Sequence, residues 1–279
     1  MNSALKAGLL SFTVIFVSID PAATQTKPMD QINALPWQAA PAVGDVASIA
    51  KIRLNGSLRF LDAPNTSRFL QLNGNPPSDR QYTLAPRNYS WFAIFGFDPS
   101  GYVKDDEKIN PDELLATLKE SNKAGIEERR RLRLPLLYLE GWTVTPHYDL
   151  QTKRLEWGTR LRAEDNSIVV NYSTRLLGRT GVMKAILVSS PDSLQRDLRD
   201  FRSALNAFDF NAGQRYSEFR TGDKVAEFGL AALVLGGAAA VAAKSGIFKG
   251  LFKLLAVGAI AIGAAIMAFF KRLFGRSQT

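Results

Sequence analysis

The residues of this chain that could carry chemistry are few, and they fall between positions 98 and 179. The single histidine, His147, stands in the run PHYD, followed by Tyr148 and Asp149. A histidine with a carboxylate two residues on suits proton transfer where both share a strand face. Pro146 and Asp149 instead mark the run as a turn, with Asp149 accepting from the backbone beyond it. No nucleophile in a recognisable elbow accompanies the pair. Asp98, Asp105 and Asp106, with Glu107 next in line, offer oxygens to a hard cation such as calcium. Their spacing lacks the sixth-position glycine and twelfth-position glutamate of an EF-hand loop, so a solvated acidic loop competes with a metal site. Trp142, Trp157 and Tyr172 fall on successive predicted strands, where they form a cross-strand aromatic cluster or line a ligand pocket. Arg179, in LLGRTG, sits in a tight glycine-flanked turn that could face an anion. The candidate ligand-binding set is therefore Trp142, His147, Tyr148, Asp149, Trp157 and Arg179. With no cysteine and one histidine, thiolate chemistry, disulfides and multi-histidine metal sites are excluded. No phosphate loop, dinucleotide fingerprint or zinc signature is present, and no cofactor is expected.

The elements that must position these residues follow from hydrophobic periodicity. Ile52 and Leu54 alternate with polar residues, as do Leu58 and Phe60, and Asn55-Gly56 between them predicts a hairpin. Thr66–Leu72 reads as a short helix, and the aromatic run Tyr89–Phe97 as a buried central strand. Asn110, Pro111 and Glu113 start a helix running to about Leu132. Four strands follow, Leu136–Val144, Arg154–Ala163, Ile168–Leu177 and Gly181–Ser189. Their short connections predict an antiparallel meander. Leu194, Leu198, Phe201, Leu205 and Phe208 recur at helical spacing over Pro191–Phe208. Residues 26–50 read as an irregular lead-in with a short helix at most. The fold class is α+β, an antiparallel sheet with helices covering one face.

Two terminal stretches differ in kind from this domain. At the N-terminus, Lys6, an apolar run over Ala7–Ile19 and the small residues Ala22, Ala23 and Thr24 predict a signal peptide over 1–24, with an uncleaved anchor as the alternative. At the C-terminus, 223–279 reads as a membrane anchor. Its two uncharged runs, Phe228–Ala243 and Leu254–Phe270, give candidate spans near 227–243 and 254–270, each slightly short of the roughly 20 residues that cross a bilayer. A transmembrane helical hairpin is the leading reading. The alternatives are one span at 254–270, with 228–243 packed at the interface or on the domain, and a hairpin buried in a soluble core. Ala232, Gly236 and Ala240 fall four apart, a spacing that lets helices approach closely in lipid.

Net charge supports the same division. Residues 24–222 hold 27 Lys/Arg against 23 Asp/Glu, while 223–279 hold seven against two. The basic excess therefore flanks apolar segments rather than forming a nucleic-acid surface, and no nucleic-acid partner is expected.

The ordered motifs GYVKDDEKIN–DELL, GW-xxx-PHYD-xx-TKRLEW, VNYSTRLLGRTGVM, NAGQRYSEF and GDKVAEFGLAALVLGG resemble the bacterial membrane-anchored family known as domain of unknown function 2167, from about residue 40 onward. The resemblance implies an envelope protein with an exported domain and a C-terminal anchor, and it supplies no catalytic residues. The sequence reading is thus an exported α+β domain over 25–222, tethered to the bacterial inner membrane on its periplasmic side. It acts as a binding or structural module whose partners are the lipid bilayer and either a second protein or a further copy of itself. The competing reading is a membrane-tethered enzyme using Asp105, Asp106 and His147.

Overall fold

The computed structural model describes residues 28–237, apart from 74, 76 and 132–135. The chain opens with α1 (Pro28–Asn33), β1 (Gln38–Ala39), β2 (Ala42–Val46), β3 (Ala50–Leu54), β4 (Leu58–Leu61) and α2 (Ala63–Leu72). It continues through β5 (Tyr82–Pro86), β6 (Phe92–Asp98) and α3 (Pro111–Arg131), then the meander β7 (Leu137–Asp149), β8 (Arg154–Ala163), β9 (Ile168–Leu177) and β10 (Val182–Ser189). Helix α4 (Leu194–Leu205), β11 (Phe208–Phe210), a 3-10 turn at Tyr216–Glu218 and α5 (Leu230–Leu235) complete it.

Eight strands form one antiparallel sheet in the order β1-β4-β5-β6-β10-β9-β8-β7, and β11-β3-β2 form a second sheet. The central position of β6 explains its composition. Phe92 and Ile94 point into one core with α1 and α2, while Ala93 and Phe95 point into another with α4 and the small sheet. A strand covered on both faces reads as continuously apolar rather than alternating. Farther along, Leu155, Trp157, Leu177 and Val182 pack beneath α3 and α5. The α+β class and antiparallel meander agree with the sequence reading, but both sheet faces are covered: α1, α2, α3 and α5 on one, α4 and the three-stranded sheet on the other.

Four local expectations are corrected. The Asn55-Gly56 turn exists, with Gly56 at φ +56° and the Leu58 amide donating to the Asn55 carbonyl, yet β3 and β4 are not a hairpin. Strand β3 pairs with β2 and β11, and β4 with β1 and β5, so the turn passes the chain between facing sheets. Alternation is the same in either case, because both strands bury one face in the shared core. Strand β7 does not end at Val144 but runs through Pro146 and His147 to Asp149, with register shifts between Leu139 and Gly141, Trp142 and Val144, and Val144 and His147. It is the sheet's edge, where proline and bulges are tolerated. The lead-in before residue 50 holds the one short helix allowed for, α1, but also the strands β1 and β2 in place of irregular chain.

The fourth concerns the tail. A helix across 227–243 is expected, but α5 covers only Leu230–Leu235 and stops at Gly236, whose φ of +118° is left-handed. Its Leu230, Leu233 and Val234 are buried against the domain. Among the described residues no helix is long and apolar enough to cross a membrane. The leader at 1–24 and the second run at 254–270 lie outside the described residues.

Candidate functional site

At the end of the large sheet where β7 turns into β8, the turn, the end of β9, β11 and the 3-10 turn enclose a cleft of about 790 Å³. One wall is aromatic. Tyr102 stacks on Tyr216 with ring centres 4.3 Å apart and lies 4.2 Å from Phe219. The Tyr216 hydroxyl donates to the Val103 carbonyl, which fixes the stack on the buried side. Phe210 and Phe208, from β11, continue the apolar lining.

Lys153, Arg154 and Arg215 also line the cleft, and their surroundings differ. Lys153 lies 2.8 Å from the Asp105 carboxylate and 5.2 Å over the Tyr216 ring. Arg215 makes a fork to Asp209, with Nε–Oδ1 at 3.1 Å and Nη2–Oδ2 at 2.7 Å. Arg154 instead donates to the Leu205 carbonyl at 2.8 Å and to Asn206 Oδ1 at 3.3 Å, where α4 ends. Cations satisfy the free carbonyls of a helix C-terminus. Arg154 has no carboxylate within 4.0 Å among the described residues, and its Nε is buried without a partner. Burial pulls its pKa below the ordinary arginine value, but a guanidinium keeps its charge at neutral pH.

Asp105 ties Lys153 to β7. It accepts from Tyr148 Oη at 2.9 Å and from Lys153 Nζ at 2.8 Å. Burial favours its neutral form, but the hydrogen bonds from Lys153 and Tyr148 outweigh that and leave its pKa below the usual carboxylate value. Burial first, and then Asp105, push the Tyr148 hydroxyl far above its ordinary pKa. Burial does the same for Tyr216, followed by its hydrogen bond with Tyr102. These hydroxyls therefore stay protonated as donors and are not poised as nucleophiles.

A second constellation lies on the face of β8 that also carries Arg154, whose guanidinium feels the Glu156 charge. Glu156, nearly buried, accepts from Tyr172 Oη at 2.7 Å and from Arg202 Nη2 at 2.8 Å, while Arg202 also meets Tyr172 Oη at 2.6 Å. His147 sits across the strand pair, with Nε2 3.6 Å from the same carboxylate and Nδ1 3.2 Å from the Thr145 carbonyl. Sequence reasoning missed Glu156 and Arg202. They come from β8 and α4: the register sets His147 opposite Glu156, and the packing of α4 on the sheet brings Arg202 to it. That register depends on the bulges in β7, which alternation alone does not reveal.

The expected site residues separate accordingly. Successive residues of β7 send His147 toward Glu156 and Tyr148 toward Asp105. Asp149 turns back on its own loop, accepting from the amides of Gln151 at 2.8 Å and Thr152 at 3.2 Å, so it is not a partner for His147. Trp142 and Trp157 do share one core cluster; Trp142 donates to the Pro111 carbonyl, and the Arg175 guanidinium lies 4.7 Å over Trp157. Tyr172 lies across the sheet from both. Arg179 binds Asp223 at 2.7 Å through both Nε and Nη2, tying the β9–β10 turn to the chain that leads into the tail. Of the acidic loop, Asp98 faces Lys184 at 2.7 Å, Asp106 is exposed, and Glu107 accepts from the Ala231 amide at 2.9 Å to cap α5. Among the described residues, no three histidine or carboxylate side chains gather in a way that could hold a metal ion.

The family described as protein of unknown function (DUF2167) matches residues 39–268. The chain belongs to that family. The match takes in both sheets, the cleft and most of the tail, so the DUF2167 unit joins the domain and the apolar runs in one segment. No curated protein is significantly similar to the chain. Among solved structures, the solution structure of cyanobacterial PsbP (CyanoP) from Synechocystis sp. PCC 6803 is similar at 8% identity, with 61% of this chain and 94% of that one covered and a TM-score of 0.36. A likeness at that score carries no argument about this chain.

Proposed function

We propose that this DUF2167 protein is an envelope module held on the periplasmic side of a bacterial inner membrane by its tail, and that its work is binding rather than catalysis. The observation that carries the reading is the way the tail leaves the domain. Leu230, Leu233 and Val234 of α5 are core residues, and the chain passes from them into the rest of an apolar segment and then the run 254–270. Docking of α5 favours a single crossing at 254–270 over the hairpin, because Leu230–Leu235 of the first run is already committed to the domain. The preceding apolar stretch over Ala7–Ile19 supports export. The cleft supports binding: it combines an aromatic wall with cations, the composition of a recognition site. The tethered-enzyme reading needs His147 and Asp105 together, whereas they point away from opposite faces of β7.

Reporter fusions after residue 237 and after residue 279 test the topology. The first is expected to be active outside the cytoplasm and the second inside it. An external C-terminal reporter would restore the hairpin, and a cytoplasmic reporter after 237 would overturn export.

A further inference from the structure

We infer that the cleft at the β7–β8 turn takes an amphipathic organic anion, a flat apolar body bearing one carboxylate-like group; this deepens the binding reading above and does not depend on the anchor. The charge state of the site sets the ligand's charge. Lys153 and Arg215 are each matched by a carboxylate, Asp105 and Asp209, at 2.7–2.8 Å. Arg154 alone of the three has no such partner among the described residues. Each of its terminal nitrogens spends one hydrogen on the end of α4, leaving one on each for a ligand. One unmatched cation suits one anionic group and would leave a polyphosphate largely uncompensated. The bound contacts at Leu205 and Asn206 also hold the guanidinium in place before a ligand arrives, so little side-chain freedom remains to be lost.

The aromatic wall sets the ligand's body. Tyr102 lies against both Tyr216 and Phe219 and Tyr216 is buried, so the ring left open to a ligand is Phe219, 38% exposed although it is large and apolar. Ring faces of this kind recognise flat apolar groups by stacking. The volume of about 790 Å³ lies within the range typical of small-molecule sites, roughly 300–1,000 Å³.

The test is equilibrium dialysis of the full-length protein in detergent, corrected against protein-free micelles, with three probes: 1-naphthylacetate, its uncharged amide, and acetate. The wild-type chain is expected to hold the naphthyl acid about tenfold more tightly than the amide and to ignore acetate. Arg154→Gln should remove the preference for acid over amide. Phe219→Ala, at an exposed position, should weaken both naphthyl probes alike. Equal binding of acid and amide by the wild type, no binding of either, or a folded Arg154→Gln chain that keeps the preference would each overturn the inference. If Arg154→Gln fails to fold, the wild-type probe pair and Phe219→Ala decide. A protein that ignores all three probes while its reporters still place it across the membrane loses this inference and keeps its anchor; misplaced reporters with a selective cleft give the reverse.

Discussion

Glu156 accepts from Tyr172 and Arg202 with a side chain only 9% exposed, so its carboxylate is matched almost entirely by protein donors. Glu156→Gln keeps the shape but loses the charge that Arg202 neutralises. The cost is expected to be about 1–3 kcal/mol, limited because Arg202 is 44% exposed and reaches water. Tyr172→Phe leaves the ion pair intact and should cost less; denaturant unfolding of both variants checks the order. The Arg179–Asp223 fork gives a pH signature instead. Its hydrogen bonds, those from Arg179 first, hold Asp223 at about 2 against an ordinary 3.8. A depressed folded-state pKa means that the unfolded chain binds the proton first. The stabilisation is therefore complete above about pH 4 and disappears as the pH falls through about 2. Melting temperatures of wild type and Asp223→Asn should differ at neutral pH and converge near pH 2.

Helix α3 packs on the core through Leu114 and is pinned to the sheet by one buried polar side chain. Asn122, buried, donates to the Leu137 carbonyl and accepts from the Leu139 amide, each at 2.9 Å, and so fastens the helix to the edge strand β7 beside a bulge. Asn122→Ala leaves both strand groups without their partner and should cost about 1–3 kcal/mol, read from thermal unfolding. The start of the same helix was legible in the sequence: Asn110 Oδ1 accepts from the Asp112 and Glu113 amides, as its position before Pro111 implies. The meander, the central strand and α4 were legible for a similar reason, since local periodicity reports local structure. What escaped was set by distant partners. The alternation of β3 and β4 cannot say which sheet each joins, and Pro146 signals a turn unless the strand is known to be an edge. The candidate site was legible only in fragments: Tyr148 and Asp105 are 43 positions apart in sequence, and nothing near either one announces the other.

At the scale of the molecule, the fold and its tail are not separable at residue 222. Leu230 and Leu233 are each 1% exposed and Val234 5%. Burying three such side chains contributes on the order of 5–9 kcal/mol, comparable to the net stability of a whole domain. A chain ending at 237 is therefore expected to fold, and one ending at 222 to unfold or aggregate, as judged by circular dichroism and size-exclusion chromatography. The linker between is fastened as well: the Tyr102 amide donates to the Lys224 carbonyl, and the Ala226 amide to the Tyr102 carbonyl, each at 2.8 Å.

That fastening makes Tyr102 a shared joint. Its backbone holds the chain that leads into the tail, and its ring lines the cleft; Tyr216 likewise belongs both to the cleft and to the cluster that seats α5. A load on residues 224–226 is thus a load on the wall of the cleft, since Tyr102 holds both. Under the anchoring proposed above, the tether is a lever rather than a leash, because strain at α5 and occupancy of the pocket are felt by the same two rings.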